Sequence, residues 1–148
     1  MSREALSRRA RSMDAAARVS RFERDDAAAG LARIRASIAS LESEKEALAA
    51  RMRFPPTDFI IETGRYVGHF MRGMRAEIDR LDQRISDLKA EAEKREAHVR
   101  ALHGTTRVRD AAKDAARRAL DTGMRREEDR DQAELTRFRW LTARRSDR

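Results

Sequence analysis

The amino-acid sequence predicts an all-α protein, a two-helix antiparallel coiled-coil hairpin with a longer second helix. Three observations indicate this fold. Apolar residues recur at alternating intervals of three and four through most of the chain, as in the heptads of a coiled coil. Pro55 and Pro56 interrupt that repeat once, near the middle. Charged residues make up 41% of the chain and aromatic residues only 5%, which suits a thin pair of helices with one buried seam rather than a globule.

The first helix of the hairpin is predicted to run from about residue 3 to residue 52. Its first thirty residues carry few large apolar side chains, namely Leu6, Met13, Val19 and Phe22. A regular heptad pattern then follows at Leu31, Ile34, Ile38, Leu41, Leu48 and Met52. Lys45 falls in the same seam, where a polar residue fixes the register at a cost in stability. The helix must end before Pro55, because the residue ahead of a proline avoids the helical region.

A turn is predicted at residues 53–58, followed by the second helix at about residues 59–141 and a frayed tail at 142–148. The densest apolar cluster of the chain, Phe59 to Ile61, opens this helix. Its heptad positions are Met71, Met74, Ile78, Leu81, Ile85, Leu88, Ala92, Val99 and Leu102. The spacing then slips near Gly104 and resumes at Val108, Ala112 and Ala115. This slip predicts a stutter, which is a local change of the supercoil.

Folding the chain at the diproline sets a register between the two helices. It pairs Leu48 with Met74 and Ile34 with Leu88, and it places the start of the first helix beside Ala119. The second helix then extends about 20 residues further, or ~30 Å at 1.5 Å per residue. This overhang carries four large apolar residues, Leu135, Phe138, Trp140 and Leu141. Exposed apolar side chains of this kind indicate a partner surface, and the alternative is a fraying terminus.

The composition bounds the class of protein. A length of 148 residues fits one domain. The chain has no cysteine, which excludes disulfides, thiolate metal sites and cysteine nucleophiles. Residues 1–24 include seven arginines but no apolar stretch of signal-peptide length. No window approaches the ~20 apolar residues of a membrane-spanning helix. The expected location is a bacterial cytoplasm.

The net charge of +8, with 30 arginines and 4 lysines, permits two explanations. One is a GC-rich genome, which favours arginine and alanine codons. The other is an acidic partner, either nucleic acid or a protein surface. Acidic residues are interleaved with the basic ones almost throughout, as in residues 125–131. This interleaving favours solvated helices with i,i+4 ion pairs over a nucleic-acid binder, which concentrates its positive charge.

Motifs for catalysis or cofactor binding are missing from the sequence. It contains no phosphate-binding loop of the G-x-x-x-x-G-K-[ST] type. The histidines are His69, His98 and His103, and the last two are five residues apart, on different faces of a helix. The carboxylates have arginines nearby and no pocket to raise their pKa. The sequence therefore predicts a protein that is not an enzyme and has no cofactor, metal or small-molecule substrate.

Three stretches of the chain carry a resemblance to a known family. The first is the hairpin pattern of residues 31–52, and the second is the aromatic-rich segment 66–81 at the start of helix two. The third is the charged segment 127–138. Together they resemble the FliJ/YscO family, the central stalk proteins of flagellar and injectisome type III secretion. The family often has an acidic pair where this chain has Thr136 and Arg137.

The resemblance implies a stalk that couples a hexameric export ATPase to the cytoplasmic ring of the export gate. It also implies escort of empty export chaperones, and a cytoplasmic protein peripherally associated with the membrane-embedded export apparatus. The paired termini would enter the ATPase pore, with binding residues Leu135, Arg137, Phe138, Arg139 and Trp140. The gate-binding residues would be Phe70, Met74, Ile78 and Leu81. Met74 has a second interpretation, as a seam residue packed on helix one.

Two other function classes stay open at this stage. The chain also fits a generic coiled-coil adaptor or a dimerising nucleic-acid-associated protein. A weaker hypothesis places the basic helix around Phe70 on a membrane surface. Whether the resemblance points to the flagellar or the injectisome system is left open.

Overall fold

Two long α-helices account for the described structure of this chain. The computed structural model describes residues 2–53 and 64–146, in which α1 spans Arg3–Arg53 and α2 spans Gly64–Ser146. Ion pairs and hydrogen bonds join early residues of α1 to late residues of α2 and late residues of α1 to early residues of α2, so the helices run antiparallel. The predicted fold class, an all-α helical hairpin with a longer second helix, is confirmed.

The predicted limits of α1 are correct to within one residue. Ser2 caps its start, because the backbone N–H of Ala5 donates to Ser2 Oγ at 3.3 Å and that of Leu6 to the Ser2 carbonyl at 3.1 Å. Arg53 is the last residue of α1 rather than the first of the turn. The rest of the predicted turn, the cluster at residues 59–61 and the predicted start of helix two lie outside the described residues.

The end of α2 lies further along than predicted. The helix continues to Ser146, so residues 142–146 are helical and not the frayed tail that the sequence suggested. Thr142 Oγ1 donates to the carbonyl oxygens of Phe138 at 3.1 Å and Arg139 at 2.9 Å. Basic side chains near this end also interact favourably with the helix dipole. Both effects stabilise the last turns of α2, although the apolar pattern of the sequence weakens there.

The contacts divide the chain into two compact units. Unit 1 comprises residues 1–23 and 102–148, and unit 2 comprises residues 24–101. In unit 2, large apolar side chains fill the seam between α1 and α2. Its buried members are Leu31, Ile38, Met74, Leu81 and Ile85. All five are predicted heptad positions, and burying a side chain of this size stabilises the fold by about 1.5–3 kcal/mol.

Charged residues line both edges of the seam in unit 2. Cross-helix ion pairs join Lys45 to Asp82 at 2.5 Å, Lys89 to Glu42 at 2.9 Å and Arg35 to Glu96 at 3.3 Å. Their side chains are roughly half exposed, so water screens each pair and its contribution to stability is small. Their main effect is on alignment, because charge pairs choose between registers that an apolar heptad alone leaves equivalent.

These ion pairs correct the predicted register. Pairing Leu48 with Met74 would place Lys45 opposite Glu77, but Lys45 contacts Asp82. The observed alignment is displaced along α2 by about one heptad. An apolar pattern that repeats every seven residues looks the same after such a shift, which explains why the stripe alone did not determine the register.

The seam of unit 1 consists of small and polar side chains. Ala10, Ala17 and Ala116 are buried, as are Ser20 and Thr106, each with 2% of its surface exposed. Small side chains allow the two backbones to approach closely. At Gly123 the side chain of Leu6 packs against the glycine, and an added β-carbon would lie 2.7 Å from Leu6 Cδ1.

A polar layer lies within this small-residue seam. Thr106 Oγ1 donates to the Ser20 carbonyl at 3.3 Å, and Arg109 Nη1 donates to Ser20 Oγ at 2.6 Å. Among the described residues, no buried side-chain nitrogen or oxygen lacks a hydrogen-bond partner. Because the buried hydroxyls are satisfied, their burial does not carry the cost of an unpaired polar group.

The predicted apolar stripe is only partly correct in unit 1, where Leu6, Met13, Leu102 and Ala112 are half-buried. Val19, Phe22, Val108 and Ala115 are exposed. The buried or half-buried face of α2 instead passes through Leu102, Thr106, Arg109, Lys113, Ala116 and Leu120. These positions keep an unbroken alternation of four and three, and the helix is continuous through residue 104. The apolar pattern predicted a stutter because Thr106, a polar residue, occupies a buried position of the repeat.

The last part of α2 has no α1 residues beside it. Within unit 1, α1 begins at Arg3, and Glu127 is the last α2 residue that is not fully exposed. We call Glu128–Ser146 the C-terminal extension. It is about 19 residues long, or ~28 Å, close to the predicted length although the register differs. No helix in the described ranges 2–53 and 64–146 is long and apolar enough to cross a membrane.

Candidate partner-binding surfaces

The C-terminal extension presents an apolar face to solvent. Leu135, Phe138 and Leu141 are 59%, 67% and 50% exposed. Because they are spaced by three residues, they lie along one side of the helix. Asp131 and Glu134 join Leu135 and Phe138 in lining a shallow concavity of about 480 Å³ on this side. We call this side the apolar face.

Trp140 lies on the other side of the extension. It follows Phe138 by two residues, which is a rotation of about 200° around the helix. Its indole ring carries the guanidinium of Arg144 at 4.4 Å from the ring centroid, a cation–π contact. Trp140 is 56% exposed. The five residues predicted to bind the ATPase therefore form two surfaces rather than one patch.

Charges in the extension are separated along its length. The acidic residues come first, at Glu128, Asp129, Asp131 and Glu134. The basic residues come later, at Arg137, Arg139, Arg144 and Arg145. Arg130 is the one base within the acidic half. Sequence reasoning stressed the interleaving of charges and missed this separation, although a count over residues 128–146 would have found it.

The first turns of α2 carry the second candidate surface, within unit 2. Tyr66 is exposed and Phe70 is 37% exposed, whereas Met74 is 7% and Leu81 is 5% exposed. Ile78 is half-buried. The interpretation of Met74 as a seam residue is thus confirmed. Burial of Met74 and Leu81 leaves them little surface for a partner. The gate-binding role of the four residues stays a prediction, and it now depends mainly on Phe70.

An open groove of about 560 Å³ lies beside the first turns of α1, in unit 1. It is lined by Leu6, Arg118, Ala119, Thr122, Gly123, Arg126, Glu127 and Arg130. Three arginines and one glutamate give the groove a positive balance. A second concavity, beside Arg3, Arg8 and Arg11, has the same balance of three arginines and one glutamate. The sequence analysis did not single out either one.

Among the described residues, two titratable groups have a shifted pKa, and both belong to cross-helix ion pairs. In unit 1, a hydrogen bond from Arg21, 2.6 Å away, lowers the pKa of Asp110 against the opposing effect of partial burial. In unit 2, the hydrogen bond from Lys45 to Asp82 raises the pKa of Lys45. Neither lies in the C-terminal extension. These shifts follow from structural ion pairs at the edges of the seam.

Metal-ligating residues are dispersed along the two helices. Within residues 2–53 and 64–146, no group of three or more His, Cys, Asp or Glu side chains is arranged to hold a metal ion. His69, His98 and His103 are all exposed.

Comparison with known proteins returned no match to a family model, to a curated protein or to a solved structure. The likeness to secretion stalks accordingly rests on the three sequence stretches described above.

Proposed function

We propose that this protein is a non-enzymatic stalk that couples a hexameric export ATPase to the export gate of a type III secretion or flagellar system. The observation that carries the proposal is the C-terminal extension. From Glu128 to Arg144, every side chain is exposed, although four of them are large and apolar. The sequence resemblance implies that such an extension enters the ATPase pore.

The dimensions of the extension support insertion into a narrow pore. A single α-helix with its side chains is about 10–12 Å across, whereas a helix pair is about twice as wide. Phe138 and Trp140 point to different sides and suit contact with several subunits of a ring. Aromatic and arginine side chains are the types that most often dominate binding energy at interfaces. Arg137 and Arg139 suit acidic loops around the pore.

The start of α2 is the proposed contact with the cytoplasmic ring of the gate. Phe70 is the partly exposed aromatic residue nearest the seam, and Tyr66 lies one turn before it on the same side. Met74 and Leu81 hold this segment in place through burial. Under this proposal the protein is cytoplasmic and reaches the membrane only through its partners, with export chaperones as further cargo.

The test of the ATPase contact is stimulation of the cognate ATPase. The full chain is expected to raise ATP turnover at substoichiometric amounts. Deleting Gln132–Arg148 is expected to abolish stimulation while the remaining helices stay folded by circular dichroism. Phe138→Ala with Trp140→Ala is expected to reduce stimulation at least tenfold, which corresponds to about 1.4 kcal/mol.

Phe22→Ala is the matched control for those aromatic substitutions. Phe22 is 74% exposed on α1, so its loss removes an equally solvated ring at a different place. This control is expected to stimulate fully. Full stimulation by the deletion variant would instead show that the extension is not the ATPase contact.

The gate contact is tested by Phe70→Ala in a binding measurement with the isolated cytoplasmic ring of the gate. Affinity is expected to fall about tenfold or more, because interface aromatics contribute more than 1 kcal/mol each. Val108→Ala, which also removes exposed apolar surface, is expected to leave affinity unchanged. Equal affinities for the native chain and the Phe70 variant would remove Phe70 from the site.

A second candidate function is a coiled-coil adaptor that binds nucleic acid. The observation that favours it is the groove lined by Arg118, Arg126 and Arg130. A nucleic-acid binder shows affinity that falls steeply with salt on any DNA, because counterions are released. A steep slope for the native chain that becomes shallower in Arg126→Gln with Arg130→Gln would favour this function. Binding that is absent at low salt would exclude it.

A further inference from the structure

The C-terminal extension combines three features that together suit a symmetric contact. Its apolar face, Leu135, Phe138 and Leu141, is half or more exposed. Apart from Arg130, its basic residues follow its acidic residues along the helix. Beyond Arg130, which lines a groove together with Leu6, no α1 residue in the described structure lies beside it, since α1 begins at Arg3 and Glu127 is the last half-buried residue of α2. A helix with this arrangement is complementary to itself when it is reversed.

Helix geometry places the charges on two flanks of the apolar face. Residues rotate about 100° each around an α-helix. Glu128 and Arg139 are eleven residues apart, which is close to three full turns, so both lie on one flank. Arg137 lies on the opposite flank, about 100° from Phe138, and Glu134 lies on the same side of Phe138 but only about 40° away, on the apolar face. Asp131 is about 20° from Phe138 on the side of Arg139, so it also lies on the apolar face and lines its concavity with Glu134, Leu135 and Phe138. Each side of the apolar face therefore carries acids nearer the start of the extension and one base nearer its end.

We propose that the C-terminal extension pairs antiparallel with the same extension of a second copy of this chain. Two antiparallel helices related by a two-fold axis bring identical flanks together. Glu128 then faces Arg139 of the second copy, and Glu134 faces Arg137 of the second copy. The symmetry repeats both ion pairs, which gives four in total around the packed apolar faces.

The charges also select the orientation of the pair. In a parallel arrangement, acids would face acids and bases would face bases, and such like-charge contacts are repulsive. The helix dipole gives a competing explanation for basic residues at the end of α2. That effect is confined to the last turn, whereas Arg137 and Arg139 lie about two or more turns before Ser146. The dipole therefore does not account for them.

The contact is small, which makes the dimer weak and reversible. About 19 residues of helix give a contact ~28 Å long, at the small end of specific interfaces. A dissociation constant of about 10–100 µM is expected. Pairing covers Phe138 and the flanking arginines, so the dimer and an ATPase-bound monomer would exclude each other. The dimer itself does not depend on the proposed stalk function.

The experiment is sedimentation equilibrium of the full chain alone, over a range of concentrations and at low salt. The native chain is expected to shift from monomer to dimer. Arg137→Glu with Arg139→Glu is expected to weaken dimerisation at least tenfold, because acids then face acids. Glu128→Arg with Glu134→Arg is expected to weaken it similarly. Mixing the two double variants is expected to restore association as a heterodimer, since every facing pair is again opposite in charge.

Two controls accompany this test. Arg100→Glu with Arg107→Glu changes the net charge equally at exposed positions elsewhere on α2 and is expected to dimerise like the native chain. Circular dichroism checks that each variant remains helical. A native chain that stays monomeric up to about 1 mM, roughly tenfold above the expected dissociation constant, would overturn the proposal. So would double variants that dimerise normally or that fail to associate when mixed.

Discussion

The two units use the same helix pair with different seam chemistry. Unit 2 buries large apolar residues such as Leu31, Leu81 and Ile85, and unit 1 buries alanines together with Ser20 and Thr106. Burial of a leucine removes far more apolar area from water than burial of an alanine. Unit 2 therefore derives its stability mainly from area, whereas unit 1 depends on close approach and on satisfied hydrogen bonds. The difference shows that heptad spacing alone does not reveal what fills a seam.

The largest expected effect comes from removing a large side chain of unit 2. Leu81 is 5% exposed, so Leu81→Ala is expected to lower the free energy of unfolding by about 2–4 kcal/mol through lost burial and a residual cavity. Urea denaturation followed by circular dichroism measures this. Val108→Ala on the exposed side is the control, with an expected change under about 0.5 kcal/mol. Equal losses for the two variants would contradict the assignment of the seam.

The next effect tests close approach in unit 1. Ala17 is 1% exposed, and Ala17→Leu inserts three extra carbons where the backbones are near each other. Overpacking of this kind is expected to lower the free energy of unfolding by about 1–3 kcal/mol. Ala15→Leu, at an exposed position of the same helix, serves as the control. If urea denaturation showed a higher free energy of unfolding for Ala17→Leu than for the native chain, the seam of unit 1 would have space for a larger side chain.

A smaller effect is expected at the polar layer. Thr106→Val removes the hydroxyl that donates to the Ser20 carbonyl and keeps the side-chain shape, so a loss of about 1 kcal/mol is expected. The control is Thr122→Val, whose hydroxyl bonds only to its own helix at the Arg118 carbonyl. If Thr106→Val were more stable than the native chain, apolar packing would outweigh the hydrogen bond at this layer.

This contrast also separates what the sequence could predict from what it could not. The fold class and the core of unit 2 follow from regular leucine, isoleucine and methionine spacing, which has one physical meaning in a charged chain. Ser20 and Thr106 escaped prediction because hydroxyl residues are usually exposed, and their burial depends on partners from the other helix. The register between α1 and α2 could not be predicted, because a seven-residue repeat is unchanged by a shift of seven residues.

The candidate surfaces were predictable to a similar degree. The existence of the extension follows from unequal helix lengths, and its exposed Phe138 and Trp140 were named correctly. The placement of Phe138 and Trp140 on two sides of the helix could also be predicted, because it follows from their spacing in the sequence. Met74 and Leu81 could not be assigned from spacing, because a three-and-four pattern suits both a seam and a partner surface. Only burial distinguishes the two, and it places both residues in the seam.

The smallest expected effect concerns pH, and it has opposite directions in the two units. Asp110 in unit 1 has a pKa below its ordinary value, chiefly because of the hydrogen bond from Arg21. Its ion pair therefore stabilises the fold above pH about 3.9 and loses that contribution as the pH falls through the lowered pKa. Lys45 in unit 2 has a raised pKa because of Asp82. Its contribution is present below pH about 10.4 and is lost as the pH rises through the raised pKa.

Substitution of the two residues isolates these contributions. Asp110→Asn is expected to destabilise the chain slightly at neutral pH, and its difference from the native chain is expected to shrink in acid. Lys45→Gln is expected to show the same convergence in alkali. Urea midpoints at acidic, neutral and alkaline pH measure both, with Asp121→Asn at an exposed position as the control. Parallel pH profiles for the native chain and both variants would mean that these ion pairs contribute nothing, and that seam packing alone stabilises each unit.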